Sequence, residues 1–402
     1  PVFSGGELAG FTATRAHHAD VGGPAPGSMP ANSAVLSDEG VVISPRGVSG
    51  MDELGDLTEG MRNRPQRLAD LRAQWAANAM GERRLTELFE TDSAKEIHRG
   101  MAEILEYAER RTRARLEELP DGRWEAREVL EGGDGGEEDT ELCVRATISG
   151  SELGLDFSGS AEQVEGNLNC PLSVTRSAAF FCVRVLLDPD APPCAGAHRP
   201  VHVRAPEGSV LNARPGAAVA GGNVETSSRV ADLVLSALSE VSEGAAQGQG
   251  TMNNLTLGGV GASEWTYYET LGGGQGACAK APGPDAIHVA MSNTLNTPVE
   301  ALETELPLRV RELSIRRGSG GEGRMRGGDG LVREVEALEP MRYSLITERR
   351  RHAPRGRAGG TDGLPGRNLI NGSEVPAKAT GELAKGDVLR IETPGGGGYG
   401  SA

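Results

Sequence analysis

The sequence predicts an α+β protein with a β-rich, multi-layer core, a helical pair at about 60–118 and short inserted helices. The region at about 60–118 has apolar residues at helical spacing, and a cap at Ser93 marks the start of its second helix. From about residue 140 onward, short runs of alternating apolar and polar residues are separated by glycine clusters. The 402 residues include 58 glycines that follow no repeat, which is typical of a protein with many turns.

The N-terminal region changes from a strand pattern to a helix pattern. The stretches PVF and ELAGFTATRAHH, separated by SGG, predict a strand hairpin that continues to Asp20. Apolar residues then recur at helical spacing, at Leu68, Leu71, Trp75 and Ala79. Ser93 and Glu96 form a capping box for a second helix, which LPDG ends. We therefore expect 1–50 to be the β-rich part of a metal-site domain and 51–122 to be helical.

The remainder, 140–402, is expected to be a β-rich core with inserted helices. An acidic turn at Glu131–Asp139 precedes a strand marked by alternating apolar residues, Leu142, Val144, Ala146 and Ile148. An apolar stripe predicts a core-facing helix and comprises Val230, Leu233, Val234, Ala237, Leu238 and Val241. A shorter helix is predicted to begin at Pro298, with Thr297 as its cap and Glu300 closing a capping box.

Composition excludes several classes of function. The formal net charge of -16 argues against nucleic acid or an anionic membrane as a partner. No apolar run is long enough for a membrane span and no signal peptide is recognisable, so a cytoplasmic protein is expected. The five cysteines include no CxxC pair and are expected to be reduced, buried thiols. Without a GxxxxGK[ST] phosphate loop, the chain is not expected to bind ATP itself.

The stretch RAHHADVGG places two histidines and an aspartate within four residues. On a strand, His18 and Asp20 would share one face while His17 would point to the other. An imidazole and a carboxylate suit a divalent metal such as zinc, manganese or iron, although catalytic sites generally use three protein ligands. The alternative is that these side chains only form hydrogen bonds in a turn before Gly22, and the stretch alone leaves both open.

Further candidate catalytic residues are polar and lie beside glycines or in otherwise apolar runs: Asn223, Glu225, Asn253, Asn254, Glu269 and His288. Glycine lets a ligand approach the backbone, and a helix N-terminus near Asn223 would offer amides to an anion. The alternatives are a simple cap by Asn223 or Thr226, glycines at tight bends, and a core histidine at 288. The arginines in TERRRHAPRG could bind phosphate or carboxylate, or only pair with acids.

Several long motifs occur in one order along the chain and resemble those of the hydantoinase B family. They are RAHHADVGG, DFSGSAEQVEGNLN, AGGNVETSSRVADLVLSAL, GTMNNLTLGG, YYETLGGGQGA, NTLNTPVEALE, RRGSGGEGRMRGGDGLVRE, LITERRRHAPRG and IETPGGGGYG. This family comprises the large subunit of N-methylhydantoinase-like and acetone carboxylase-like enzymes and the corresponding half of 5-oxoprolinase. The resemblance covers essentially the whole chain.

Two departures from the family pattern affect the expected site. Acetone carboxylase-like members have an upstream His-x-x-Asp pair that binds the metal together with a histidine of the HH motif. This sequence begins at Pro1, inside a predicted strand, so the natural protein is expected to begin earlier and the N-terminus of the metal-site domain to be missing. The resemblance then implies His18 alone as a ligand. Ala290 and Ser292 replace a histidine and a threonine that the family often has.

The resemblance implies a subunit of an ATP-dependent cyclic-amide hydrolase that acts on hydantoin or 5-oxoproline analogues. A separate hydantoinase A-type ATPase subunit would bind ATP and phosphorylate the substrate carbonyl oxygen, and this chain would complete the hydrolysis within a hetero-oligomer. Asn253, Asn254 and the amides near Asn223 could hold the developing oxyanion. Two alternatives remain open, namely an acetone carboxylase-like carboxylase subunit and a non-catalytic scaffold or fragment. If the chain is catalytic, the stretches around His18, Asn223, Asn253 and Glu269 should converge on one cavity.

Overall fold

The computed structural model describes residues 1–132, 138–261 and 265–401, so the centre of the acidic turn lies outside the described residues. The protein is α+β, as the sequence predicts. Its α-helices are α1 (Arg64–Thr91), α2 (Ala94–Glu117), α3 (Leu172–Leu187), α4 (Ser227–Leu238) and α5 (Val299–Glu305). A π-helical turn, Gly222–Thr226, leads into α4, and short 3-10 helices occupy Pro26–Ser28, Leu36–Glu39, Met51–Thr58 and Ala195–His198. Among the described helices, none is both long and apolar enough to cross a membrane.

The strands form four sheets. The strands of the first half are β1 (Val2–Ser4), β2 (Glu7–Gly10), β3 (Gly122–Leu130), β4 (Thr140–Ser149), β5 (Glu152–Asp156) and β6 (Val201–Arg204). Those of the second half are β7 (Asn254–Gly259), β8 (Thr266–Glu269), β9 (Leu308–Arg316), β10 (Gly330–Ala337), β11 (Met341–Ile346), β12 (Arg367–Ile370), β13 (Ser373–Glu374), β14 (Lys378–Leu383) and β15 (Val388–Glu392). The sheet orders are β1-β2, β3-β4-β5-β6, β14-β11-β7-β8 and β13-β12-β15-β10-β9.

Two hydrophobic cores organise these sheets. In the first, α3 and α4 pack on the sheet β3-β4-β5-β6, and the predicted stripe of α4 is buried against it. In the second, the two sheets of the C-terminal half share a core with α5, to which Leu257, Val335 and Leu345 contribute. The alternating residues predicted in β4 are buried, as expected of a strand that is covered on one face.

The predicted helical pair is confirmed as α1 and α2, and Ser93 caps α2 as predicted, although the reciprocal bond from the Ser93 N–H to the Glu96 side chain is absent among the described residues. The Ser93 hydroxyl oxygen accepts a hydrogen bond from the Glu96 backbone N–H at 3.3 Å. The predicted hairpin forms from β1 and β2. The five cysteines are free: Cys143, Cys170 and Cys182 are buried, while Cys194 and Cys278 are only half-buried.

Three local predictions were wrong. The strand predicted to reach Asp20 ends at Gly10, because residues 11–20 instead contact the helices, for example through the Thr12 hydroxyl and the Asn78 carbonyl. Pro298 is the cap residue of α5 and Thr297 makes no capping bond, so that helix begins one residue later. The apolar strand expected around His288 is absent from residues 285–294, which the structure describes in full.

Extended glycine-rich segments pack backbone against backbone in the C-terminal half, and we call them the glycine bundle: residues 272–284, 319–330, 354–366 and 393–400. Hydrogen bonds link the segments, such as Gly274 N–H to Pro394 O and Gly396 N–H to Gly328 O, both 2.9 Å. A Cβ on Gly274 would lie 2.0 Å from the Gly328 carbonyl oxygen. The backbone segments can approach each other this closely only where side chains are absent.

We expect Gly274→Ala to lower the free energy of unfolding by at least ~3 kcal/mol, because overpacking against unyielding backbone exceeds the usual cost of an added methyl group. Gly100→Ala is the matched control. Gly100 lies inside α2, where an added Cβ would meet no neighbouring atom within 4 Å, so alanine there should raise stability by about 0.5–1 kcal/mol. Urea denaturation of both variants measures the difference, and wild-type stability of Gly274→Ala would contradict the packing.

Candidate active site

A small apolar cluster brings together four of the stretches singled out in the sequence. Val224, Met252 and Ile346 are buried against one another, and Met29 and Met291 pack on them. Val224 lies between Asn223 and Glu225, and Met252 precedes Asn253. Met29 ends the loop that begins near His18, and Met291 follows His288. Long-range packing therefore gathers these stretches, whereas a single cavity that joins all their polar groups stays a prediction.

Glu225 is fully buried in the π-helical turn before α4. Its Oε1 accepts hydrogen bonds from the Met252 backbone N–H at 3.2 Å and the Asn254 Nδ2 at 2.8 Å. Its Oε2 has no hydrogen-bond partner among the described residues. Burial, reinforced by the nearby negative charge of Glu348, raises the pKa of the Glu225 carboxyl to about 8. The carboxyl group is therefore mostly protonated at neutral pH.

Asn254 connects Glu225 to a tyrosine. Its Nδ2 also donates to the Ile346 carbonyl at 2.8 Å, and its Oδ1 accepts from the Tyr268 hydroxyl at 2.8 Å. Both amide protons of Asn254 are thus engaged, so the residue positions Glu225 and has no free proton for an oxyanion. Tyr268 thus donates the last hydrogen bond of this chain, and burial of its hydroxyl raises its pKa.

The Asn253 side chain is engaged in the same way. Its Nδ2 donates to the Gln249 Oε1 at 2.8 Å and to the Leu271 carbonyl at 3.3 Å, while its Oδ1 accepts from the Arg350 Nη1 at 2.8 Å. By contrast, the Asn223 carboxamide is half-buried and makes no hydrogen bond to the described residues. The sequence analysis expected the backbone amides near Asn223 to hold an oxyanion, and among the described residues it is the Asn223 side chain, unlike those of Asn253 and Asn254, that has free amide protons.

Asn223 and Thr226 do not cap a helix, contrary to one alternative reading of the sequence. The π-helical turn continues directly into α4, and the Thr226 hydroxyl donates to the Leu168 carbonyl. A Cβ on Gly222 would lie 2.0 Å from the Asn169 carbonyl oxygen. The glycine pair before Asn223 therefore serves close packing, and single π-helical turns are frequent at functional sites.

Glu269 lies away from this group. It follows Tyr268 on β8, so the two side chains point to opposite faces of the sheet. Glu269 instead pairs with Arg333 of β10 at 3.3 Å, and both side chains are buried between the two C-terminal sheets. Burial raises the pKa of the Glu269 carboxyl. Glu269 and Arg333 therefore form an ion pair that is buried in the core between the two C-terminal sheets.

His288 contacts hydroxyl groups through both ring nitrogens. Its Nδ1 lies 2.5 Å from the Ser292 Oγ and its Nε2 lies 3.0 Å from the Thr294 Oγ1. The Thr294 hydroxyl continues to the Thr270 hydroxyl at 2.5 Å. Burial lowers the pKa of the imidazole, so the neutral form predominates at neutral pH. Ser292, which departs from the family pattern, is thus a direct partner of this histidine.

Asp20 organises a loop and does not suit the metal-ligand role expected for it. Its Oδ1 accepts from the Gly22 N–H and the Ser28 hydroxyl at 2.8 and 2.9 Å. Its Oδ2 accepts from the Gly27 N–H, Arg62 and the Thr266 hydroxyl. With both oxygens already occupied, the carboxylate ties the loop to β8 and to Arg62.

His18 is better suited than Asp20 to bind a metal ion. Its Nε2 lies 3.1 Å from the Gln74 Nε2, while its Nδ1 is buried without a hydrogen-bond partner among the described residues. Residues 11–20 form no strand, so strand alternation no longer distinguishes His18 from His17. The preference for His18 rests instead on its unpartnered Nδ1. Within the described ranges, no group of three or more His, Cys, Asp or Glu residues is placed to hold a metal. These donors therefore do not make a complete metal site.

A buried charged cluster beside the candidate site was missed by the sequence analysis. Glu348 accepts from Lys378 Nζ at 2.6 Å, lies 3.4 Å from Arg229 and binds the Glu131 N–H. Glu131 in turn accepts from the backbone N–H groups of residues 350–352. The sequence signals were the stretch TERRRHAPRG, which contains Glu348, the acidic turn that begins at Glu131, and Lys378, one of only four lysines in the chain. These residues lie too far apart in sequence for any pattern to join them.

Known proteins resemble this chain in sequence and in fold. The chain is 37% identical over 433 residues to 5-oxoprolinase 1 of Arabidopsis thaliana, covering all of this chain and 34% of that protein. It is 35% identical over 412 residues to an uncharacterized protein of Methanocaldococcus jannaschii, of which 72% is covered. The chain thus spans about a third of the length of the 5-oxoprolinase that it matches.

Two solved structures share the fold. The ATP-dependent caprolactamase from Pseudomonas jessenii superposes with a TM-score of 0.83 at 25% identity, over 95% of this chain and 70% of that one. A nucleotide-free acetone carboxylase superposes with a TM-score of 0.80 at 19% identity, over 96% of this chain and 60% of that one. The family model described as Hydantoinase B/oxoprolinase matches residues 1–402, and the chain belongs to this family.

Proposed function

We propose that this chain performs the hydrolytic step of an ATP-dependent cyclic-amide hydrolase. The observation that carries the proposal is the buried Glu225 carboxyl, which has a raised pKa and one unpartnered oxygen where four separate stretches meet. Strongly perturbed pKa values cluster at catalytic sites. The names of the similar 5-oxoprolinase and caprolactamase support a cyclic amide as the substrate class. The likeness to acetone carboxylase is one of fold, and no residue described above favours a carboxylase.

The chemistry requires a proton for the leaving nitrogen. An amide carbonyl is a poor electrophile, and a partner ATPase subunit of the hydantoinase A type would activate it by phosphorylating its oxygen. Water then adds to the carbon, the ring C–N bond breaks, and the nitrogen takes up a proton, which leaves an acyl phosphate. A second water then hydrolyses the acyl phosphate to a free carboxylate and inorganic phosphate. We assign the proton for the nitrogen to Glu225 Oε2, since Oε1 already accepts two hydrogen bonds.

Two further groups complete the proposed mechanism. The free Asn223 carboxamide would donate to the negative charge that develops on the oxygen of the added water as that water loses its proton. His288, neutral because of burial, would take the proton from the attacking water by way of the exposed Thr294 hydroxyl, which lies 3.0 Å from its Nε2. Substrate would reach Glu225 by displacing the flexible side chains of Met29, Met252 and Met291, since methionine readily repacks.

The family resemblance also implies a divalent metal, for which His18 could supply one ligand through its free Nδ1. A bound metal would lower the pKa of a coordinated water and so supply hydroxide. Because the described residues do not complete such a site, the steps above are assigned to the chain's own side chains.

For the hydrolase proposal, we expect Glu225→Gln to lower kcat by about 10²–10⁴-fold, the usual contribution of a general acid. The reaction is ATP-dependent release of amino acid from 5-oxoproline, hydantoin or caprolactam by the chain co-purified with its ATPase partner. Glu240→Gln, in which an exposed carboxylate just beyond α4 is neutralised, should keep wild-type activity. Full activity of Glu225→Gln would exclude Glu225 as the acid, and no turnover of any cyclic amide by the wild-type complex would overturn the proposal.

The raised pKa of Glu225 also predicts a pH-dependent stability. Between the ordinary glutamate pKa and about 8, the folded chain binds a proton at Glu225 that the unfolded chain has released. The free energy of unfolding should therefore fall as pH rises through this window, by up to about 1.4 kcal/mol per pH unit. Glu225→Gln should lack this contribution, so urea denaturation across the window should show a shallower slope than in wild type. Parallel slopes would show that Glu225 is ionised in the folded chain.

The metal assignment has its own readout in the metal content of the purified complex. His18→Ala should lower the ratio of metal to chain, because the Nδ1 of His18 is the buried nitrogen without a partner. His17→Ala is the control, since His17 is exposed. Elemental analysis of both variants decides between them. Equal metal content in wild type and His18→Ala would remove His18 from the ligand set.

A further inference from the structure

A cavity of about 270 Å³ lies beside β12 and the segment that follows β11, and we call it the arginine cavity. It is lined by Arg350, Arg351, Gly366, Arg367, Asn368, Glu374, Val375, Pro376 and Ala377. Three of these residues are cationic and one, Glu374, is acidic. The lining therefore has a surplus of positive charge in a protein whose formal net charge is -16.

Arg350 is the least compensated of the three cations. Within the described residues, no carboxylate lies within 4.0 Å of its guanidinium, which donates only to the neutral oxygens of Asn253, Glu348 (backbone) and Asn368. Glu131 binds the backbone N–H groups of this segment instead. Burial lowers the pKa of Arg350 to about 10, which reflects how poorly its charge is solvated.

The protein holds this guanidinium in one position. Asn368 Nδ2 donates to the Thr347 hydroxyl at 3.0 Å, which turns its Oδ1 toward Arg350 Nη2 at 2.8 Å. A Cβ on Gly366 would lie 2.6 Å from Arg350 Nη1, so glycine is required for the guanidinium to lie against the backbone there. An arginine that packing has preorganised loses little entropy when it binds an anion.

Arg351 and Arg367 are about half exposed; Arg351 has one carboxylate within 4.0 Å, and Arg367 has two, Glu374 and the more distant Glu392 at 3.9 Å. Arg351 Nη2 bonds to Asp139 at 2.6 Å, and Arg367 Nε bonds to Glu374 at 2.7 Å. Since a guanidinium has five donor hydrogens, both groups retain donors for a further acceptor. Three arginines therefore line one cavity, and their remaining donors are the groups that would meet the oxygens of a ligand there.

We propose that the arginine cavity is a binding site for a small oxyanion. Guanidinium groups match the oxygens of phosphate and carboxylate in a two-pronged geometry. The volume is below the roughly 300 Å³ typical of drug-sized ligands, which suits a phosphate or a short carboxylate with some water. The hydrogen bond between Arg350 and Asn253 connects the arginine cavity to the candidate active site. The inference nevertheless does not rest on the proposed function.

Calorimetric titration of the full chain with inorganic phosphate at low ionic strength tests the inference. We expect saturable binding at one site per chain, which Arg350→Gln and Arg367→Gln should each weaken by about tenfold or more, as for loss of a charge-assisted hydrogen bond. Arg311→Gln is the matched control, since its side chain is 50% exposed, against 47% for Arg367, and lies on β9 at the opposite end of the same sheet. Its affinity should be unchanged.

Competition with acetate at matched ionic strength identifies the oxyanion. Displacement of phosphate by acetate at similar concentration assigns the cavity to carboxylates, and resistance to acetate assigns it to phosphate. Removal of the Arg350 guanidinium leaves three acceptors unpaired, and Arg350→Gln could fail to fold for that reason. In that case, comparison of the phosphate affinities of Arg367→Gln and Arg311→Gln tests the inference. Absence of saturable phosphate and acetate binding to wild type, or unchanged affinity in Arg367→Gln, would overturn the inference.

Discussion

Direct packing of backbone on backbone in the glycine bundle is the constraint on which the candidate site depends. The segment before Met252 is attached to the bundle by hydrogen bonds, among them Gln249 N–H to Gly274 O and Gly397 N–H to Gln247 O, both 2.8 Å. Gln249 then orients Asn253, and the next residue, Asn254, binds Glu225. The extended glycine segments therefore determine where two asparagines stand, although they contribute no side chain to the site.

Electrostatics act on this framework. The Glu348 carboxyl group pairs with Lys378 and Arg229 and accepts a hydrogen bond from the Glu131 N–H. Glu225 forms no ion pair among the described residues, and its burial, reinforced by the nearby Glu348, raises its pKa to about 8. The surroundings of a buried carboxyl group are a common means of setting acid and base roles.

The parts of the structure that depend on local sequence could be predicted, and those that depend on distant contacts could not. The start of α2 follows from Ser93 and Glu96, and the buried face of α4 follows from the spacing of its apolar residues. Asp20 was read as a metal ligand on a strand, because its real partners, Arg62 and Thr266, lie 42 and 246 residues away. Glu225 was recognised as polar beside glycines, yet its protonation depends on burial and on Glu348, which no local pattern reports. Glu269 was grouped with the site because it is polar and lies beside glycines, a local pattern that does not report its pairing with Arg333 of β10.

The central claim is that Glu225 holds a proton at neutral pH at the point where the separate stretches meet. Infrared difference spectroscopy of wild type against Glu225→Gln, in the full chain at neutral pH, tests this most directly. The account predicts a carbonyl band of a protonated carboxylic acid that is lost in the variant and that disappears in wild type with a midpoint at about pH 8. A difference spectrum at neutral pH that contains only carboxylate bands would contradict it.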